Sequence, residues 1–216
     1  MLRTKVKSPI ISYKNLRRLI GILGMLLPLV CFLGGLWFGH LKLQRSISFY
    51  YYTNVRDVLV GLLIGVGMFL TTYNGYEKID SIVSKVTGFA GLGIAIFPCL
   101  SNINPVGFFQ LQPQISNGIH LTCASLFFIL LAINSIFLFT ITSDRSTMTQ
   151  NKKKRNVVYV TCGVIILLSI ISLVIIELTV DPIIIKEKCL VFILETIMLE
   201  AFGISWLVKG ETIFRD

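Results

Sequence analysis

Residues 152–176 read KKKRNVVYVTCGVIILLSIISLVII: four cations in a row, a polar residue, then an uninterrupted uncharged run from Val157 to Ile176. A hydrocarbon layer about 30 Å thick needs about 20 apolar residues in an α-helix. This run has that length, and its basic flank has the character of a cytoplasmic anchor. Five more charge-poor blocks lie on either side of it: Leu19–Phe38, Val58–Tyr73, Val86–Leu100, Ile119–Ile141 and Cys189–Val208. The expected fold is all-α, a polytopic transmembrane bundle of six helices forming a single domain over residues 1–216.

The composition agrees. Of 216 residues, 54% are hydrophobic and 14% charged, and the mean hydropathy is +0.79. A soluble domain carries about 25% charged residues. The net charge of +9 does not point to nucleic acid, because the cations sit at the ends of apolar blocks and no soluble module presents a basic face. The uncharged core of the first block exceeds the roughly 7–15 residues of a signal-peptide core, so it reads as a retained helix. Cys31, Cys99, Cys123, Cys162 and Cys189 show no metal-ligand spacing, and neither a metal nor another cofactor is expected.

Lysine and arginine alternate between the loops. The N-terminal segment, the loop around Lys78 and Lys85, the loop 142–156 and the C-terminal tail together hold fifteen; the intervening segments hold five. The positive-inside rule then puts both termini in the cytoplasm and the protein in a cell inner (plasma) membrane. Trp37 and Tyr50-Tyr51-Tyr52 fall at the outer interface in this register, and Tyr73, Tyr76 and Trp206 at the inner one. The loop Ser101–Gly118 has no charged residue and holds Phe108 and Phe109 between Pro105 and Pro113. It is expected either to lie on the outer bilayer surface or to fold back as a lid.

Polar residues at membrane depth are costly and often functional. Ser46, Ser48, Tyr51, Arg56 and Asp57 precede or open the second block, and His120 opens the fourth. All map to the outer leaflet. They read either as a site for a lipid headgroup or small ligand, or as caps and interfacial donors, with Asp57 complementing a helix dipole. Glu195 and Glu200 lie inside the sixth block, about 140° apart around a helix, and each is expected to face the bundle interior. Gly34, Gly35, Gly61, Gly65, Gly88, Gly91 and Gly93 read as close-packing positions. An ion pair from Glu77 or Asp80 to Lys209 is expected at the inner end.

The segments Ser46-Ile-Ser48 with Arg56-Asp57, Tyr73-x-Gly-Tyr76, Phe97-Pro98, His120 and Phe202-Gly-Ile-Ser-Trp-Leu-Val-Lys-Gly210 resemble an uncharacterised family of bacterial six-span membrane proteins. The resemblance spans about residues 15–214 and implies the six-span fold but no activity. A more distant likeness is to DRAM/Frag-type six-span proteins. Ser46 or Ser48, Asp57 and His120 are also similar to part of the site of the alkaline ceramidase and progestin-receptor-like membrane hydrolases. Those hold zinc with three histidines across seven spans, and His40 and His120 cannot supply three.

Three functions emerge as expectations. One is a non-enzymatic membrane protein with membrane lipids as partners, and with a homo-oligomer or an unidentified protein partner left open. The second is a lipid hydrolase using Asp57, His120 and Ser46 or Ser48. The third is a small transporter or channel using Glu195 and Glu200. The topology is directly testable: reporter fusions at residue 1 and at residue 216 should both report a cytoplasmic location, and a periplasmic or extracellular signal from either would overturn the six-span assignment.

Overall fold

The computed structural model describes residues 12–75, 77–142 and 148–215. Tyr76 and the loop around Arg145 lie outside them, so the interfacial assignment of Tyr76 does too. The Ser12 hydroxyl accepts the Lys14 N–H and starts α1, Tyr13–Gly39, which runs through the buried Pro28. After a 3-10 turn, Ser48–Tyr52, come α2 (Arg56–Thr72), α3 (Lys78–Ile96) and α4 (Pro113–Ile133), which continues into a π-helical turn, Asn134–Leu138. Beyond it lie α5 (Gln150–Thr179), the short α6 (Pro182–Glu187) and α7 (Leu190–Lys209).

No strand forms among the described residues. Five helices (α1, α3, α4 with its π turn, α5 and α7) are long and apolar enough to cross a membrane. The shorter α2 has 17 residues, which at 1.5 Å per residue is about 25 Å. Two boundaries differ from expectation for physical reasons. Helix α3 begins two turns before Val86, because Asp80 and Ser84 are polar to a hydropathy window yet buried against neighbouring helices. It ends at Ile96 because Phe97 precedes Pro98 and is extended. Pro113, at the first turn of α4, lacks the N–H a helix start would leave unpaired anyway.

The six long helices form a closed ring, each touching the next in chain order, with α7 returning to α1. Helix α4 also meets α7 across the middle, where Phe127 and Phe202 stand 6.2 Å apart between ring centres. Glycine pairs set the two tightest seams. A Cβ on Gly21 of α1 would lie 2.7 Å from the Gly203 carbonyl oxygen of α7, and one on Gly203 would lie 2.8 Å from that of Gly21. Gly67 of α2 and Gly88 of α3 stand in the same reciprocal relation. The expected packing role of Gly61 does not hold: a Cβ there meets nothing within 4 Å.

One end of the bundle is knotted by aromatic rings and cations. Tyr73, Trp206, Phe139 and Tyr159 form an edge-to-face chain with centroid spacings of 5.1, 5.1 and 5.4 Å. Arg17, Lys209 and Lys152 stand 5.5, 4.7 and 5.7 Å from the rings of Tyr73, Phe139 and Tyr159 respectively. Asp80 and Lys209 are buried at this end and attract one another. Here the start of α1 meets the end of α7: the Arg18 guanidinium donates to the Gly210 carbonyl at 2.9 Å, and Lys14 pairs with Glu211. The first and last long helices therefore begin and finish on the same side.

Overpacking a close helix seam costs about 1–3 kcal/mol. Gly203→Val and Gly88→Val should each lower the thermal unfolding midpoint in detergent, measured by circular dichroism, while Gly61→Ala should leave it unchanged.

Candidate functional site

The segment between α1 and α2 turns back into the end of the bundle opposite the aromatic knot, and a chain of polar contacts holds it there. The Ile47 N–H donates to Glu195 Oε2 at 2.6 Å, and Ser48 Oγ lies 3.5 Å from Glu195 Oε1. The same Oγ is 3.1 Å from His120 Nε2, whose ring Nδ1 is 2.7 Å from the Phe97 carbonyl oxygen. His120 is buried. Three elements, α7, the 3-10 turn and α4, are thereby tied to the end of α3.

The proton count on this string is constrained. A carbonyl only accepts, so Nδ1 carries a proton. If His120 is neutral, Nε2 accepts from the Ser48 hydroxyl, and the contact with Glu195 is satisfied by a protonated carboxyl. If Glu195 is ionised, the Ser48 hydroxyl donates to it and Nε2–H donates to Ser48, which makes His120 an imidazolium. Both arrangements leave every partner satisfied, and both are neutral overall. An uncompensated charge at this depth would be costly.

Beside the string lies a groove. The segment after α3 folds as a small cap closed by the pair Val106–Leu111, whose N–H groups donate to each other's carbonyls at 2.8 and 3.0 Å. The Tyr52 hydroxyl donates to the Cys99 carbonyl at 2.6 Å, Ser116 to Pro98 at 2.8 Å and Arg45 to Leu100 at 2.9 Å. The uncharged loop packs back toward the start of α2 and leaves Phe108 81% exposed. Between this cap and α2 runs an open hollow of about 550 Å³. Val60, Ile64, Ala95, Ile96, Phe108 and Phe109 make it apolar along most of its length, and Tyr51, Arg56 and Asp57 make one end polar. A second hollow of about 380 Å³, lined by Tyr52, Thr53 and Gln110, shares Tyr51 and Arg56 with it.

Arg56 donates from Nε to Asp57 Oδ1 at 3.2 Å and stands 5.9 Å from the Tyr51 ring. The Arg56 and Asp57 side chains are 55% and 90% exposed.

The structure thus sorts the eight sequence-derived residues into groups. Ser48 stands between His120 and Glu195 and touches both. Tyr51, Arg56 and Asp57 share the groove. Ser46 serves its own turn, its hydroxyl accepting the Phe49 N–H at 3.1 Å. Glu200 departs from expectation. It lies on the α7 stripe of Ile193, Ile197 and Ile204, which are 46%, 40% and 40% exposed, and so sits on the outer face of the ring, away from Glu195.

Asp57 also departs from its expected place beside His120, since its carboxylate bonds to Arg56. The group that orients the His120 ring is the Phe97 carbonyl, a backbone atom that no side-chain motif announces. Phe108 and Phe109, two aromatics in a charge-free loop, form a wall of the groove.

Among the described residues no three His, Cys, Asp or Glu side chains converge as metal ligands would, and the five cysteines are free thiols. Burial, assisted by Glu195 and opposed by Arg45, pushes the Cys99 thiol up to about 12. It stays protonated and a poor nucleophile at neutral pH.

Removing the acceptor at position 195 leaves the Ile47 N–H unpaired and the Ser48 hydroxyl with His120 alone, at a cost of about 1–3 kcal/mol. Glu195→Ala should raise amide hydrogen exchange across residues 46–52 and lower the unfolding midpoint. Glu195→Gln, which keeps an acceptor oxygen, should do so less. Comparison with protein-family models, characterised proteins and solved structures finds no match to this chain.

Proposed function

We propose that this chain is a six-span integral protein of a bacterial plasma membrane, with both termini cytoplasmic, that binds a membrane lipid in the groove between α2 and the cap beyond α3. Five helices qualify as spans on length and composition. The described ends of α1 and α7 lie together, and ends on one side require an even number of crossings. Counting α2, which packs between α1 and α3, makes six. Its 17 residues meet the lower bound of about 17 for a span. The distribution of lysine and arginine supports the inward orientation. The likeness to bacterial six-span proteins fits the same architecture.

The observation that carries the lipid reading is the polarity gradient of the groove. An apolar trough suits an acyl chain, and a guanidinium beside a tyrosine suits a phosphate at the headgroup level.

A second reading is favoured by one contact. Ser48 Oγ and His120 Nε2 at 3.1 Å, with Nδ1 held by a carbonyl, have the relation of a nucleophile to its base. Ser48 also lines a crevice of about 10 Å³, which shares Tyr51, Val60 and Ala95 with the groove. That crevice is too small for an ester group without movement, so lipid binding ranks first.

Mass spectrometry of lipid retained by the purified protein tests both. Co-purifying phospholipid should fall several-fold in Arg56→Ala. Equal retention would sink the binding reading. Accumulation of free fatty acid with lysolipid, abolished by Ser48→Ala, would instead establish the hydrolase.

A further inference from the structure

The groove carries a charge pattern more specific than a basic patch. Arg56 spends only Nε on Asp57; among the described residues its two terminal nitrogens make no other hydrogen bond, which leaves four N–H donors. Asp57 spends one carboxylate oxygen on Arg56 and leaves the other exposed. Both side chains line the polar end of the same hollow. A cation and an anion are therefore presented side by side, adjoining an apolar trough.

We infer, resting on the lipid-binding reading above, that the occupant is a zwitterionic phospholipid with a primary ammonium headgroup, its phosphate on Arg56, its ammonium on Asp57 and one acyl chain along Val60, Ile64 and Phe108. The terminal nitrogens of arginine match two phosphate oxygens as a fork. A carboxylate accepts hydrogen bonds from an ammonium that carries N–H groups.

Other headgroups fit less well. A quaternary ammonium has no N–H to donate, so Asp57 offers it attraction without a hydrogen bond. The aromatic rings here line a trough and do not form a cage around one point, which is the arrangement that favours such a cation. A headgroup with a phosphate and no cation satisfies Arg56 but sets its charge beside an unneutralised Asp57. Because Arg56 and Asp57 cancel, a ligand that is itself neutral overall adds no net charge to a site bordered by hydrocarbon.

The experiment uses the full chain in detergent, equilibrated with equimolar dioleoyl phosphatidylethanolamine, phosphatidylcholine and phosphatidylglycerol, and reads bound lipid by native mass spectrometry. The ethanolamine lipid should be enriched over both others by about tenfold, the discrimination of one hydrogen bond to a charged group. Asp57→Asn should abolish the preference over phosphatidylglycerol while lipid still binds, and Arg56→Ala should reduce all three. The Asp57 side chain is 90% exposed, so its substitution leaves the packed bundle intact, and an unchanged unfolding midpoint confirms that. Equal occupancy by the three lipids, or a preference for either competitor, overturns the headgroup assignment and leaves lipid binding standing. No lipid loss in Arg56→Ala overturns both.

Discussion

An acid inside a bundle of apolar helices has to be answered, and Glu195 is answered by backbone. Its carboxyl takes the Ile47 N–H and meets the Ser48 hydroxyl, so the segment joining α1 to α2 cannot leave for the surface without stranding a polar group in an apolar surround. The inward turn of that segment has three consequences. It brings Ser48 to His120, fixes the His120 ring on the end of α3, and delivers Tyr51 and Arg56 to the lip of the groove. The polar end of the candidate site is thus placed by a residue that does not line it.

The two ends of the ring are closed by different physics. At one end an aromatic chain, Tyr73 through Trp206 and Phe139 to Tyr159, is edged by Arg17, Lys209 and Lys152. This is a dense plug in which lost dispersion contacts make any opening expensive. At the other end the closure is a few directional hydrogen bonds, from Glu195 through Ser48 to His120 and the Phe97 carbonyl.

The sequence exposed the apolar blocks because lipid imposes a length and a composition that survive any detail of packing. It was less legible wherever a neighbour changed the value of a residue. Asp80 and Ser84 extend α3 because other helices cover them, which a window average cannot register. Gly61 and Gly67 both lie on α2, and only the partner helix decides that Gly67 is the seam. Glu195 and Glu200 are the same amino acid five positions apart, yet one anchors a loop from within and the other sits among exposed isoleucines. The Phe97 carbonyl lay wholly outside side-chain reasoning. Ser48 and His120 share a depth in the sequence register and do meet, while Asp57, at the same depth, turns to Arg56 instead.

Asp57 also bears on what the start of α2 is for. A carboxylate in a first turn complements the helix dipole, and a helix needs nothing more from it. A residue spent on that alone would turn toward the free backbone N–H groups. Asp57 turns instead to Arg56, and Val55, at the N-cap, provides no side-chain cap. The helix start has therefore given up the stronger stabilisation of a capping hydrogen bond and kept the weaker one of the dipole. What it gains is an opposed charge pair at the mouth of an apolar trough, a geometry that stabilises the fold little when so exposed to solvent and that matches the two ends of a zwitterionic headgroup.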